Sequence, residues 1–199
     1  MKLPSLLVLT DAAQAASVGN ELFDVIVQAV QAVQADAIGV VVRERHLAEP
    51  QRRGLLDRVE ALLDGVGGLL LAASPPLGAR SGVHLRAAEP VPSPRPAVVG
   101  RSCHGRGELA AAAEDGCDYA TLSPIFATAS KRGYGPALGT EALRGCPLPV
   151  YALGGVSAAN AAACRAAGAA GVAVMGAVMR APDPARTVAE LLAAVETQP

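Results

Sequence analysis

Few residues in this 199-residue chain are suited to moving a proton, and His104 is the foremost of them. An unperturbed imidazole titrates near pH 6.5 (about) and can both take and return a proton. His104 ends the run Gly100-Arg101-Ser102-Cys103-His104. In extended chain the two-residue period puts Ser102 and His104 on one face and turns Cys103 away, which argues against Cys103 as a nucleophile. The run Val41-Val42-Arg43-Glu44-Arg45 likewise puts Val41 and Arg43 on one face, with Val42 and Glu44 on the other. His46, in a helix-entry loop, and His84, inside an apolar run, read as structural histidines. The three histidines have no metal-ligand spacing and no carboxylate cluster beside them, so no protein-held metal is expected.

A second group of residues suits an anion. Val150-Tyr151-Ala152-Leu153-Gly154-Gly155-Val156 and Gly171-Val172-Ala173-Val174-Met175-Gly176 each run an apolar strand into glycine, with a helical stretch between them. This is the pattern of consecutive β/α units whose strand tips offer backbone N–H groups to a phosphate. Before them comes a long loop, Ser123-Pro124-Ile125-Phe126-Ala127-Thr128-Ala129-Ser130-Lys131-Arg132-Gly133. Its Thr128, Ser130 and Lys131 supply hydroxyls and a cation for a phosphate whose other oxygens meet the backbone at Gly155 and Gly176.

These residues need a scaffold that gathers strand ends. Apolar runs recur at residues 6–10, 38–42, 69–72, 82–85, 98–102, 119–122, 150–153 and 172–175, and such runs suit parallel strands buried on both faces. Helical segments are expected at 21–34, 50–63, 108–115, 140–144, 158–167 and 185–196. Eight strands alternating with helices predict an α/β fold of the (β/α)8 TIM-barrel type. Proline-rich stretches around 74–80 and 87–96 forbid regular helix, so helices three and four are expected to be shortened or missing. A disordered linker dividing two domains is the other reading of 87–96. The strands continue in rhythm on both sides of it, so residues 1–199 are expected to form a single barrel domain.

Composition narrows the partners. Hydrophobic residues make up 51% of the chain, enough for one sizeable core. Seventeen basic and 18 acidic residues lie without long like-charge runs, leaving no footprint for nucleic acid or an anionic membrane. Aromatics at 3% and no Trp argue against base-stacking platforms. Cys103, Cys117, Cys146 and Cys164 have neither zinc nor redox spacing and read as reduced thiols. The N-terminal apolar run meets Asp11 rather than a cleavage site and reads as a first strand, which makes a cytoplasmic location the expectation. No apolar run is long enough to span a membrane.

Taken in order, Leu9-Thr10-Asp11, Val42-Arg43-Glu44-Arg45, Gly82-Val83-His84-Leu85, Gly100-Arg101-Ser102-Cys103-His104, Ser123-Pro124-Ile125-Phe126 with Thr128-Ala129-Ser130-Lys131, Leu153-Gly154-Gly155-Val156 and Gly171 to Gly176 resemble the thiamine phosphate synthase and TenI superfamily of small (β/α)8 barrels. The resemblance implies a thiazole phosphate held by the loop from Thr128 to Lys131 and by the glycines at 155 and 176, with Ala129 and Met175 beside them. Synthases of this kind join a pyrimidine diphosphate to the thiazole, using a Gln-x-Arg-Glu-Lys strand tip, an Asn-Asp pair and a further Asp to hold diphosphate and magnesium. This chain departs from that pattern: Val41 replaces the Gln, Arg45 the Lys, Ser74-Pro75-Pro76 the Asn-Asp pair, and Arg86-Ala87-Ala88 follows strand four. Without magnesium a leaving diphosphate loses several kcal/mol (roughly) of stabilisation.

The departures imply the TenI branch. Its members resemble thiazole tautomerases, which convert a carboxylated alkylidene-thiazoline phosphate into the aromatic carboxythiazole phosphate with no metal or cofactor. The resemblance puts the catalytic histidine on His104, with Ser102 orienting substrate and Arg43 balancing its carboxylate. A thiamine phosphate synthase is the alternative. A non-catalytic binder of thiamine-related phosphates is another, since Gly176 stands where relatives often carry Ser. Relatives also suggest a homodimer.

Overall fold

The computed structural model describes residues 2–33, 36–75, 77, 82–128 and 136–196. Among them β1 (Leu6–Leu9), β2 (Ile38–Val42), β3 (Leu69–Ala73), β4 (Gly82–Leu85), β5 (Val99–Cys103), β6 (Tyr119–Leu122), β7 (Val150–Leu153) and β8 (Gly171–Val174) pair in parallel in that order. The pairing of Leu6 with Val172 brings β8 back onto β1 and closes the barrel. The expected (β/α)8 architecture is therefore present, and each strand lies within a residue of its expected position.

Among the described residues seven α-helices follow in chain order: α1 (Ala12–Ala16), α2 (Leu22–Gln31), α3 (Glu49–Asp64), α4 (Arg106–Glu114), α5 (Ala158–Ala166), α6 (Gly176–Met179) and α7 (Pro184–Glu196). None of the described residues between β3 and β4 or between β4 and β5 is helical, as the prolines require. The segment expected to be helical at 140–144 is one 3-10 turn, Thr140–Leu143. The short helices α1 and α6 were not expected. Asp11 caps α1 by accepting a hydrogen bond from the Gln14 amide at 3.0 Å.

Alternation along the strands separates two cores. Leu6, Val8, Val83, Leu85 and Val99 face the helices and loops outside, whereas Leu7, Leu9, Val41, Leu71, Tyr119 and Tyr151 fill the barrel. The interior obeys a simple rule of volume. In four register pairs a large side chain faces a glycine on a neighbouring strand: Leu7 with Gly39, Leu71 with Gly82, Tyr119 with Gly100 and Tyr151 with Gly171. A methyl group on any of these glycines would lie 2.7 Å or less from the facing side chain, and at Gly100 only 2.0 Å from Tyr119 Cζ.

Where helices are missing, arginines fasten the chain. Arg101, 2% exposed, donates to Asp115 Oδ2 at 2.5 Å and to the Glu89 carbonyl at 2.8 Å, tying the β4–β5 connection to the end of α4. Arg95 adds bonds of 2.9 Å to the Gly116 carbonyl and 2.8 Å to Asp118 Oδ2.

The packing rule predicts that Gly100→Ala lowers stability by about 1–3 kcal/mol through overpacking against Tyr119. Gly54→Ala, on an exposed stretch of α3 with nothing within 4 Å, is expected to raise stability by up to about 1 kcal/mol. Urea unfolding of the two variants reads both signs.

Candidate active site

The C-terminal ends of the strands and the loops that follow them enclose a cavity of about 520 Å3. Leu9, Ala73, Leu153 and Ala173 form its apolar floor, and three polar walls rise around it.

The first wall is backbone and one arginine. Ile125 donates to the Leu153 carbonyl and Phe126 to that of Gly154, both at 2.9 Å, so the loop after β6 is zipped to the loop after β7. That close approach requires glycine. Gly155 has φ +66°, and a Cβ there would lie 2.6 Å from the Ala127 carbonyl oxygen. The zipper brings Thr128 to the cavity beside Gly155, Met175 and Gly176. Ala129, Ser130 and Lys131 lie outside the described residues. Arg180, which sequence reasoning passed over, also lines the cavity, and its guanidinium lies over Gly176: a Cβ at 176 would meet Nη1 at 2.4 Å and Nη2 at 2.6 Å. Gln14, from α1, accepts a hydrogen bond from Arg180. The guanidinium end of Arg180 thus occupies the space beside Gly176. A spacing of four residues across a short helix was the signal for the pair.

The second wall is cationic. Arg43, Arg45 and Arg86 line it. Arg43 contacts Met175 Sδ and lies 3.6 Å from Asp11 Oδ2, and its backbone amide donates to Thr10 Oγ1 at 2.9 Å. Arg45 Nε donates to the Ser74 carbonyl at 3.0 Å. Burial, together with Arg86 and Arg43 nearby, pushes the Arg45 guanidinium below its ordinary range. Arg52 donates to the Ala73 carbonyl and, at 3.4 Å, to that of Pro75. The carbonyl oxygens after β3 thus already accept from guanidiniums, and no described carboxylate lines the cavity. Nor do the described residues gather three metal-ligating side chains anywhere. These residues do not fit a magnesium ion.

The third wall carries the proton-transfer groups. Ser102 and His104 both line the cavity while Cys103 is buried outside the barrel, as the alternation predicts. Burial pushes the Cys103 thiol up to about 12, with Glu108 adding to the rise, which removes it as a nucleophile. Glu108, on the first turn of α4, accepts from the His104 amide at 2.6 Å and stands 3.1 Å from His104 Nδ1. The carboxylate can only accept, so Nδ1–H donates to Glu108, which in the neutral ring leaves the lone pair on Nε2. His46 is exposed and lies outside the main cavity.

His84 corrects the sequence reading. It lines the cavity at 3% exposure, with Nδ1 2.9 Å from Tyr119 Oη and Nε2 2.9 Å from Ser102 Oγ. Burial, reinforced by Arg45 and Arg43, lowers its pKa to about 3. The signal was present: Val83 and Leu85 face outward, so the residue between them faces in.

A closed parallel barrel whose strand ends surround a cation-lined cavity defines a (β/α)8 barrel with its candidate site at the C-terminal ends of the strands. The sequence model described as thiamine monophosphate synthase matches residues 6–178, and the chain belongs to that family. A putative thiamine-phosphate synthase of Geobacter sulfurreducens is 44% identical over 100 residues, which is 48% of this chain and 47% of that protein. The bifunctional ThiM/ThiE protein of Symbiobacterium thermophilum is 35% identical over 175 residues, covering 80% of this chain and 36% of that protein. The matches thus span about half or less of these relatives' length. Among solved structures, thiamine phosphate pyrophosphorylase from Pyrococcus furiosus superposes with a TM-score of 0.78 at 24% identity, over 98% of this chain and 96% of that one, which shows the shared fold.

A phosphate seated on the glycine wall predicts that Arg180→Ala weakens binding of inorganic phosphate by about 10-fold or more, the loss of one charge-assisted hydrogen bond. Titration calorimetry on the wild type and the variant measures it.

Proposed function

We propose that this protein acts in thiamine biosynthesis as a TenI-like thiazole tautomerase, an isomerase. The observation that carries this reading is the second wall: Arg45 and Arg86 and already-bonded carbonyls stand where a diphosphate–magnesium site would need carboxylates. Such a rim suits a substrate whose anionic groups are met directly by guanidiniums.

In this reading the substrate phosphate lies on the backbone at Gly155 and Gly176 with Arg180, Thr128 and the loop residues Ala129, Ser130 and Lys131 around it. Met175 forms part of the pocket wall, and Arg43 faces the substrate carboxylate. His104 Nε2 takes a proton from the saturated ring carbon, whose C–H electron pair enters the ring. The same imidazolium returns the proton to the exocyclic alkylidene carbon, and the ring becomes aromatic. Atoms balance without an external reactant. Glu108 stabilises the transient imidazolium through Nδ1–H, and Ser102 orients the substrate.

The relatives' names favour a second reading, thiamine phosphate synthase, a transferase joining two half-molecules. Two assays separate the readings. Purified protein with the thiazoline phosphate and no metal is expected to give the aromatic product, and His104→Ala is expected to lower kcat about 10²–10⁴-fold with little change in KM. Unchanged turnover in that variant rejects the proton shuttle. Thiamine phosphate formed from a pyrimidine diphosphate and thiazole phosphate with magnesium establishes the synthase instead.

A further inference from the structure

The contacts of Tyr119, His84 and Ser102 fix a direction as well as a geometry. Tyr119 is fully buried, and its ring is held in place because Gly100 on β5 leaves it room. Burial raises the phenol far above its ordinary range, so it carries its proton. Among the described residues the acceptor within reach of that proton is His84 Nδ1, at 2.9 Å. Pointing the proton elsewhere would leave a buried donor unsatisfied, at about 1–3 kcal/mol.

A neutral imidazole that accepts at Nδ1 must carry its own proton at Nε2. His84 Nε2 is 2.9 Å from Ser102 Oγ, so it donates there. The Ser102 oxygen is then an acceptor toward His84, and its hydroxyl proton has to go elsewhere. Ser102 is half-buried and lines the cavity. The imidazolium form, which would break the chain, has no support: the charged groups facing His84 are Arg45 and Arg43 beyond β2, and no described carboxylate lines the cavity.

We infer that Tyr119, His84 and Ser102 form a one-way hydrogen-bond chain, Tyr119 Oη–H to His84 Nδ1 and His84 Nε2–H to Ser102 Oγ, which makes the Ser102 hydroxyl a fixed donor into the cavity. Tyr119 and His84 are positioning residues, and Ser102 is the group that meets the ligand. The site therefore selects a ligand with a lone pair at this point, a carboxylate oxygen or an unprotonated ring nitrogen, and rejects an ammonium or amide N–H there. In the tautomerase reading the acceptor belongs to the substrate, and that clause rests on it. The direction of the chain does not.

Nitrogen-15 NMR of the histidine rings in the intact protein tests the chain without any substrate, with His84 assigned by His84→Gln. The expected spectrum shows His84 protonated at Nε2 and bare at Nδ1, unchanged from about pH 8 to about pH 4.5. Ser102→Ala is expected to keep this tautomer, because the direction is set from Tyr119. Tyr119→Phe, which preserves the ring packing, is expected to abolish the preference. An Nδ1–H tautomer in the wild type, a ring that titrates near pH 6.5 (about), or a tautomer that reverses in Ser102→Ala overturns the inference. Failure of the isomerase assay with this spectrum intact would reject the functional reading and leave the chain standing.

Discussion

Everything at the top of this barrel depends on how its middle is filled. Four glycines stand opposite Leu7, Leu71, Tyr119 and Tyr151 in direct register pairs, so large side chains cross the interior without pushing the strands apart. The two tyrosines meet edge to face at 5.4 Å between centroids, an arrangement aromatic rings favour. Their hydroxyls are the polar ends of an otherwise apolar plug. Tyr151 disposes of its proton at the Pro4 carbonyl at 2.5 Å, toward the bottom of the barrel. Tyr119 donates its hydrogen bond to His84, and through it the plug touches the cavity. Packing and chemistry are joined at that one ring.

The side of the barrel without helices is organised differently. Among the described residues no helix follows β3 or β4, and arginines fasten the chain there. Arg101 and Arg95 secure the β4–β5 connection from outside, and Arg52 and Arg45 secure the carbonyls after β3. A guanidinium bonded to backbone carbonyls is a rigid strut with several donors. The same residue type therefore closes the eroded flank and lines the rim of the cavity.

Most of the scaffold was legible in the sequence because its strands are short, continuous apolar runs and its prolines are incompatible with helix. The helices α1 and α6 escaped because five and four residues cannot display a 3.6-residue period, and Arg180 escaped with α6. His104, Ser102 and Arg43 were legible from alternation at strand tips. His84 was not, since an apolar neighbourhood suggested burial as its purpose. It is indeed buried, but the face it is buried on is the barrel interior. Three of the expected phosphate-loop residues, Ala129, Ser130 and Lys131, fall outside the described residues.

The cavity wall also bears on how ligands arrive. Arg43, Arg45, Arg86 and Arg180 line a concave, partly apolar surface, while the chain as a whole carries a formal charge of −1. Positive charge gathered in a cleft focuses the local field and draws anions from solution faster than neutral diffusion would. An anionic ligand would therefore be drawn to this opening more strongly at low ionic strength, although the chain as a whole is close to electrically balanced. A protein with almost no net charge behaves, at this one opening, as a cation.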